Sequence, residues 1–212
     1  MVNAAVLVSG GGTNLQALLD AQAAGRMPHV RIALVVASNP QAYALQRAAK
    51  AGVEAVVCAR KAYESASAHD AALCGLLQSH GIDMVVLAGY LSMIGPRVLA
   101  AYPDKILNIH PSLIPSFCGA GYYGLRVHEA ALAKGVKVTG ATVHLVNEHY
   151  DEGRILAQKA VEVCEGDTPE TLQRCVMEQA EWVILPQMVL HLPLLFPASV
   201  ISLLLRIKQY EV

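Results

Sequence analysis

The sequence predicts an α/β fold, a Rossmann-like, mostly parallel sheet flanked by helices on both faces. Short, continuously apolar runs alternate along the chain with segments whose apolar residues recur at helical spacing. Strands that are apolar at nearly every position are typical of sheets buried on both sides, which are usually parallel. The chain has 212 residues, of which 54% are hydrophobic and 16% charged, enough for one domain with a full core.

The individual elements follow from these patterns in chain order. Strands are predicted at residues 4–8, 31–37, 54–58, 83–88, 105–109, 139–146 and 155–163. Helices are predicted at residues 13–24, 43–51, 69–79, 127–133 and 168–181. Gly52, Gly81 and Gly135 are suitable helix stops, and Thr168 is a suitable N-cap.

Composition excludes several classes of function. Sixteen basic and seventeen acidic side chains give a formal charge of -1, too little positive charge for a dedicated nucleic-acid binder. The five cysteines contain no C-x-x-C pattern and are odd in number, which argues against a disulfide framework and a zinc site and favours a reducing cytoplasm. The first residues lack the basic segment of a signal peptide.

One apolar stretch, Val183–Ile207, suggests a membrane span, but prolines interrupt it. The run after the last proline is shorter than the ~20 residues that a spanning helix needs. We therefore expect no membrane association. We also expect small-molecule partners, and a monomer or homodimer.

The first motif that carries chemistry is Ser9-Gly-Gly-Gly-Thr-Asn14, between the first strand and the first helix. Its glycines allow a tight turn, and the N–H groups at a helix start favour a phosphate. Leu15 breaks the G-x-G-x-x-G spacing, and no Gly-Lys-Ser/Thr follows as in a Walker A loop. Both a phosphate site and a plain glycine turn remain open from this loop alone.

The second motif is Asn108-Ile-His110-Pro, at the end of the fifth strand. Residues two apart point to the same side of an extended chain. The amide of Asn108 can stabilise an oxyanion, and His110 can move a proton. The alternative is a histidine with a structural role only.

The third motif is the polar loop Asn147–Gly153, which holds three carboxylates and one imidazole. A carboxylate in this loop can orient His110 and stabilise its charged form. By itself the pattern is equally typical of a solvated hairpin loop.

Together these motifs resemble the folate-dependent formyltransferase family. Ser9–Asn14 is similar to its S-G-x-G-[ST]-N, Val85–Tyr90 to V-V-L-A-G-[FY], and Asn108–Pro115 to N-I-H-P-S-L-[IL]-P, while Thr139–Gly153 ends in the family's D-x-G. The resemblance extends from Val2 to about Val189. The first loop is typical of the branch that formylates glycinamide ribonucleotide, the phosphoribosylglycinamide formyltransferases.

The resemblance implies transfer of a formyl group from 10-formyltetrahydrofolate, a co-substrate, to the amine of N1-(5-phospho-D-ribosyl)glycinamide in de novo purine biosynthesis, without a metal. Asn108 would hold the formyl oxygen, His110 would move the proton, and Asp151 would pair with His110 and raise its pKa. The phosphate would lie on Gly12, Thr13 and Asn14, and Glu181 would touch the ribonucleotide. The folate would contact Leu91, Ser92, Met93, Ile94, Asn108, Asn147, Glu148, His149 and Tyr150.

The sequence departs from the family pattern at a few positions. Glu152 and Arg154 stand in a D-x-G-G-P segment, Ala66 aligns with a folate-contacting arginine, and Trp182 replaces a histidine.

Two alternatives are another formyl-handling enzyme, of the methionyl-tRNA formyltransferase or formyltetrahydrofolate hydrolase type, and a non-catalytic folate- or nucleotide-binding module. The tRNA enzyme needs a further C-terminal domain and a basic surface, and the hydrolase a further N-terminal domain.

The predicted domains are a formyltransferase domain at residues 1–189 and a divergent apolar tail at residues 190–212. The tail no longer resembles the family, which is consistent with a divergent terminus or a shifted reading frame. It could pack on the domain, mediate dimerisation or reduce solubility.

Overall fold

The structure is a computed structural model that describes residues 1–195, with side chains described through Pro193. Its strands are β1 Val2–Val8, β2 Val30–Ala37, β3 Glu54–Val57, β4 Met84–Leu87, β5 Ile106–His110, β6 Val138–Leu145 and β7 Ile155–Glu162. Its α-helices are α1 Thr13–Ala23, α2 Ala44–Lys50, α3 Ala66–Ser79, α4 Pro96–Ala101, α5 Leu125–Lys134, α6 Pro169–Val176 and α7 Trp182–Leu195. Two further segments are a 3₁₀ turn at Arg60–Ala62 and a π turn at Met177–Glu181.

All seven predicted strands are confirmed, with ends within two residues of the prediction. The predicted helix at 168–181 is wrong at its end, because α6 stops at Val176 and a π turn follows. The short α4 was not predicted. Helix α7 is not among the helices that periodicity predicts, because Pro186 and Pro193 lie inside it, although the family resemblance implies a helix at Glu181–Pro186. It forms nevertheless, since burial of its apolar side chains outweighs the two lost backbone hydrogen bonds.

Helix α7 continues through the predicted domain boundary at residue 189 to Leu195. The remainder of the predicted tail, 196–212, lies outside the described residues. Within the part of the chain that the structure describes, no helix is both long and apolar enough to span a bilayer.

The sheet has the strand order β3-β2-β1-β4-β5-β6-β7. The first five strands in this order are parallel, whereas β6 is antiparallel to both β5 and β7, so the mostly parallel sheet is confirmed. After β3 the chain returns to the other side of β1. The order therefore reverses between β1 and β4, and ligands of open α/β sheets bind at this point, beyond the carboxyl ends of the strands.

Both faces of the sheet are covered by helices. Along β1, Ala4, Val6 and Val8 pack in the core beneath α1 and α7, while Ala5 and Leu7 pack in the opposite core beneath α3 and α4. This alternation explains why the strand is apolar at every central position: each residue meets one of two cores.

A buried aspartate anchors α4, the helix that follows the segment after β4. Asp70 of α3 is 4% exposed and accepts hydrogen bonds from the backbone N–H groups of Arg97 (2.8 Å) and Val98 (3.3 Å). These are donors that the start of a helix leaves without intrahelical partners. A Cβ at Gly95 would collide with the Asp70 carboxyl group. The capping interaction therefore requires glycine at position 95.

We expect Gly95→Ala to lower the free energy of unfolding by about 1–3 kcal/mol, because the added methyl group displaces the capping carboxylate. The matched control is Gly75→Ala in the middle of α3, where a Cβ meets no atom within 4 Å. Since alanine favours a helix, the control should be neutral or stabilising by about 0.5–1 kcal/mol. Urea unfolding measures both variants, and equal losses would contradict the steric explanation.

Candidate active site

A cavity of about 570 Å³ lies at the carboxyl ends of β1, β4 and β5, where the strand order reverses. It brings together most of the site residues predicted from the sequence. Those that line it are Thr13, Asn14, Leu91, Ser92, Met93, Ile94, Asn108, His110, Asn147, His149, Tyr150, Asp151 and Glu181. Gly12 and Glu148 are not among its lining residues.

At the centre of the cavity, β5 presents Asn108 and His110 on the same side, as their spacing predicts. Asp151 approaches from the loop after β6, with its Oδ2 atom 3.6 Å from Nδ1 of His110. The Nε2 atom of His110 lies 2.9 Å from the carbonyl oxygen of Phe117. Both side chains of the Asp151–His110 pair are largely buried, at 12% and 6% exposure. Water therefore screens their interaction only weakly.

The predicted rise in the pKa of His110 is wrong. Burial is the largest influence and lowers its pKa, since the charged imidazolium loses its hydration. Asp151 and the Phe117 carbonyl raise the pKa but do not reverse this effect, and the neighbouring His144 lowers it further. Sequence reasoning found the carboxylate but could not weigh the depth of the pocket. His110 is therefore mainly neutral at pH 7.

Asp151 responds to the same surroundings in the opposite sense. Burial raises its pKa, but the nearby rings of His144 and His110 and the N–H of Gly119 together outweigh burial and leave the pKa below its usual value. The Gly119 N–H donates to Oδ2 over 2.8 Å. Asp151 is thus a charged carboxylate at neutral pH, held by donors from the loop after β5 and from the strands.

His144 is a site residue that the sequence analysis missed. It lies opposite Asn108 in the antiparallel pairing of β5 with β6. Its Nδ1 faces the carbonyl oxygen of Leu145 at 2.8 Å and must carry the proton, which leaves Nε2 to accept from the Asn108 amide at 3.0 Å. A histidine within an apolar strand was the available signal, but its partner depends on the strand register.

The second N–H of Asn108 has a weaker partner. Its Nδ2 atom lies 3.4 Å from Oδ1 of Asp151, a long hydrogen bond. His144 therefore orients the amide. The N–H directed at Asp151 can exchange its long hydrogen bond for one to a substrate oxygen at low energetic cost.

The far end of the cavity is formed by the start of α1, directly after the glycine loop, and by the π turn. Asn14, in the first turn of α1, donates to Oε2 of Glu181 over 2.9 Å, and Thr13 contacts the sulfur of Met177. Glu181 is 5% exposed. Burial raises its pKa to about 7, although the hydrogen bond from Asn14 lowers it in part. The carboxyl group is therefore poised to change charge near neutral pH.

His128 of α5 also lines the cavity and was not predicted. It has no exposed surface, and neither ring nitrogen has a hydrogen-bond partner among the described residues. Burial, and secondarily the nearby His110, lowers its pKa to about 4. His128 is therefore neutral in the folded protein at neutral pH.

The described residues offer no ready set of metal ligands. In residues 1–195, no group of three or more histidine, cysteine, aspartate or glutamate side chains is arranged to hold a metal ion. The protein groups available in the cavity include a polar amide, several imidazoles and two buried carboxyl groups.

Comparisons with known proteins agree with this geometry. The family model described as Formyl transferase matches residues 2–189. Phosphoribosylglycinamide formyltransferase of Haemophilus influenzae is 39% identical over 186 residues, 88% of this chain and 84% of that protein. The chloroplastic Arabidopsis thaliana enzyme of that name is 40% identical over 82% of this chain, which spans only 60% of the plant protein's length.

Solved structures give the same result. The crystal structure of glycinamide ribonucleotide transformylase 1 from Symbiobacterium toebii superposes with a TM-score of 0.83 at 47% sequence identity. The match covers 89% of this chain and 86% of that one. The family model's match, residues 2–189, contains all seven strands and every residue that lines the cavity.

We expect Glu181 to make the protein less stable as the pH rises. Its pKa is about 7 in the folded protein against an ordinary value of 4.5, so folding favours the neutral form. This contribution is complete below pH 4.5 and is lost as the pH rises through 7. Glu181→Gln cannot ionise and should exceed the wild type in free energy of unfolding at pH 8 by on the order of 3 kcal/mol.

The measurement is urea unfolding at pH 5 and pH 8, with the exposed Glu178→Gln as control. The lowered pKa values of His110 and His128 make stability increase as the pH rises toward 6.5, but this change is common to all variants and cancels. A Glu181→Gln variant that shows no advantage at pH 8 would contradict the assignment.

Proposed function

The chain belongs to the formyl transferase family, and on that premise we propose that it formylates glycinamide ribonucleotide with 10-formyltetrahydrofolate as donor. The product is the N2-formyl ribonucleotide of de novo purine biosynthesis. The observation that carries the proposal is one cavity with Asn108, His110 and Asp151 at its centre and with Thr13 and Asn14, which directly follow the glycine loop, at its far end. These are the groups that attack of an amine on a formamide requires.

The first step is attack of the substrate's free amine on the formyl carbon, which places a negative charge on the formyl oxygen. The Asn108 amide donates to this oxygen, in place of its 3.4 Å contact with Asp151. His144 holds the amide in orientation through the 3.0 Å hydrogen bond. A donor already aligned on the developing charge lowers the barrier, because little reorganisation is needed.

The second step is a proton transfer from the attacking nitrogen to the departing folate nitrogen. A neutral His110, the form that burial favours, accepts the first proton directly or through water. Asp151 stabilises the resulting imidazolium at 3.6 Å. The imidazolium then protonates the folate nitrogen as the carbon–nitrogen bond breaks, which returns His110 to its neutral state.

The two substrates occupy different walls. The folate lies against Leu91–Ile94 and the loop Asn147–Asp151, where Leu91, Met93 and Tyr150 expose apolar surface. The ribonucleotide lies between the glycine loop and Glu181, with its phosphate on the N–H groups of Gly12, Thr13 and Asn14. The proposal requires no metal. We infer a reducing compartment, the cytoplasm in the simplest case, and a monomer or homodimer; the plant relatives are named as chloroplastic.

The alternatives are distinguished by substrate. The start of α1, directly after the glycine loop, lines the same cavity as Asn108 and His110. This placement favours a phosphorylated small molecule over a tRNA or water as formyl acceptor. The deciding assay measures formylation of glycinamide ribonucleotide in the presence of 10-formyltetrahydrofolate. Formylation of methionyl-tRNA, hydrolysis of the folate, or binding of both ligands without turnover would each replace the proposal.

Asp151→Asn should lower kcat by a factor on the order of 10² or more, since the imidazolium loses its stabilising charge. Because Asp151 raises the pKa of His110, the acidic limb of the pH profile should move to lower pH in this variant. The matched control is Glu152→Gln, a substitution of the exposed neighbouring residue, and this variant should turn over normally. Normal turnover in Asp151→Asn would leave Glu148 or Glu152 as the carboxylate to test.

Gly12→Ala should raise the KM for the ribonucleotide by about tenfold or more and leave the KM for folate nearly unchanged. Gly12 has a φ of 72°, and a Cβ there would lie 2.6 Å from that of Ala44, so the loop must shift. The control, Gly25→Ala, carries the same backbone strain at φ 68° but has no atom within 4 Å. Similar KM changes in both variants would indicate a folding effect instead of a phosphate site.

A further inference from the structure

Two carbonyl groups fasten the glycine loop to α2. The backbone N–H of Ala44 donates to the carbonyl of Gly10 over 3.2 Å, and Nε of Arg47 donates to the carbonyl of Gly11 over 2.8 Å. In a trans peptide the carbonyl and the following N–H point in opposite directions. The N–H groups of Gly11 and Gly12 therefore point away from α2.

These N–H groups are unused within the described chain. No acceptor is present there for the backbone N–H of Gly11 or Gly12, nor for Thr13 and Asn14 at the start of α1. The first N–H groups of a helix have no intrahelical acceptor. The loop thus offers four successive backbone donors, on the segment to which we assign the phosphate.

Arg47 is itself held in place from three directions. Besides the carbonyl of Gly11, its Nη1 donates to Oε1 of Gln16 over 3.0 Å, and its guanidinium lies 5.1 Å from the ring centroid of Tyr43. Gln16 lies in the first turn of α1, so Arg47 bridges α2 and α1 across the loop. A side chain fixed by its planar hydrogen-bonding fork and by stacking loses little further entropy when a ligand binds.

The cavity lacks positive charge of its own. None of its lining residues in the described chain is lysine or arginine, and Asp151 and Glu181 are its acidic groups. A phosphate in such surroundings needs a cation nearby, because desolvation of an unpaired anion is costly. Arg47 donates a hydrogen bond to the Gly11 carbonyl of the loop, and the N–H of that same peptide unit belongs to Gly12.

We propose that Arg47 is a positioning residue for the substrate phosphate: it holds the Gly11 carbonyl so that the Gly12 N–H faces the phosphate, and it supplies positive charge behind the loop. The ligand class is a sugar phosphate. This inference rests on the proposed function for the identity of the substrate, but its direct test needs no turnover.

The test compares Arg47→Met, Arg47→Lys and the control Lys50→Met, an exposed residue in the last turn of the same helix. Calorimetry measures binding of ribose 5-phosphate, and kinetics measure both KM values. Arg47→Met should weaken ribose 5-phosphate binding and raise the ribonucleotide KM by about 10- to 100-fold, with folate KM and kcat nearly unchanged. Arg47→Lys keeps the charge but not the fork and should be intermediate, and Lys50→Met should match the wild type.

Unchanged ribose 5-phosphate binding in Arg47→Met overturns the inference, as do equal increases in both KM values, which indicate a loss of fold. If Arg47→Met does not fold, as judged by circular dichroism, Arg47→Lys decides: weaker binding with normal folate KM supports the inference, and normal binding overturns it. If the wild type binds ribose 5-phosphate but formylates nothing, the proposed function is wrong. The comparison of ribose 5-phosphate binding among the variants then still tests the inference on Arg47.

Discussion

The buried carboxylate of Asp151 is the interaction around which the site is assembled. A charge so poorly exposed to water must be compensated, and Asp151 accepts from the Gly119 N–H and the Asn108 amide, while the rings of His110 and His144 lie 3.6 and 3.5 Å away. These four groups come from β5, from β6 and from the loop after β5. The need to compensate one charge therefore draws three separate segments over the cavity. Removal of that charge affects the proton route and the arrangement of the loops together.

The change from parallel to antiparallel pairing at β6 makes this convergence possible. In the parallel part of the sheet every strand ends at the same edge. Because β6 runs the other way, its own end lies away from the cavity's centre, and His144 reaches Asn108 from within the strand. The loop after β6 then returns Asp151 to the end of β5. The β5–β6 side of the sheet thus supplies Asn108, His110, His144 and Asp151, and the loop after β1 supplies the glycines.

Burial, more than any single ion pair, decides the protonation states in the cavity. It lowers the pKa values of His110 and His128 and raises that of Glu181, so that all three groups favour their neutral forms. Asp151 is the exception, because it receives enough hydrogen bonds to remain charged. A cavity with few resident charges suits the substrate that we propose, which brings the charge of its own phosphate. It also explains why a positive charge is placed behind the glycine loop and not within the cavity.

The sequence by itself determined the strands and the fold class, and most of the site residues predicted from it line the cavity. Apolar runs define strands because each residue of a doubly covered sheet is buried, and Asn108 and His110 share a side because side chains in a strand alternate. Local patterns did not reveal α7, His144, the lowered pKa of His110 or the role of Arg47. The two prolines in α7 argue locally against a helix, and burial of its apolar side chains in the folded protein stabilises the helix nevertheless. His144, His110 and Arg47 depend on strand register, depth of burial and the contact of α2 with the glycine loop, which join residues far apart in the chain and exist only once the chain has folded.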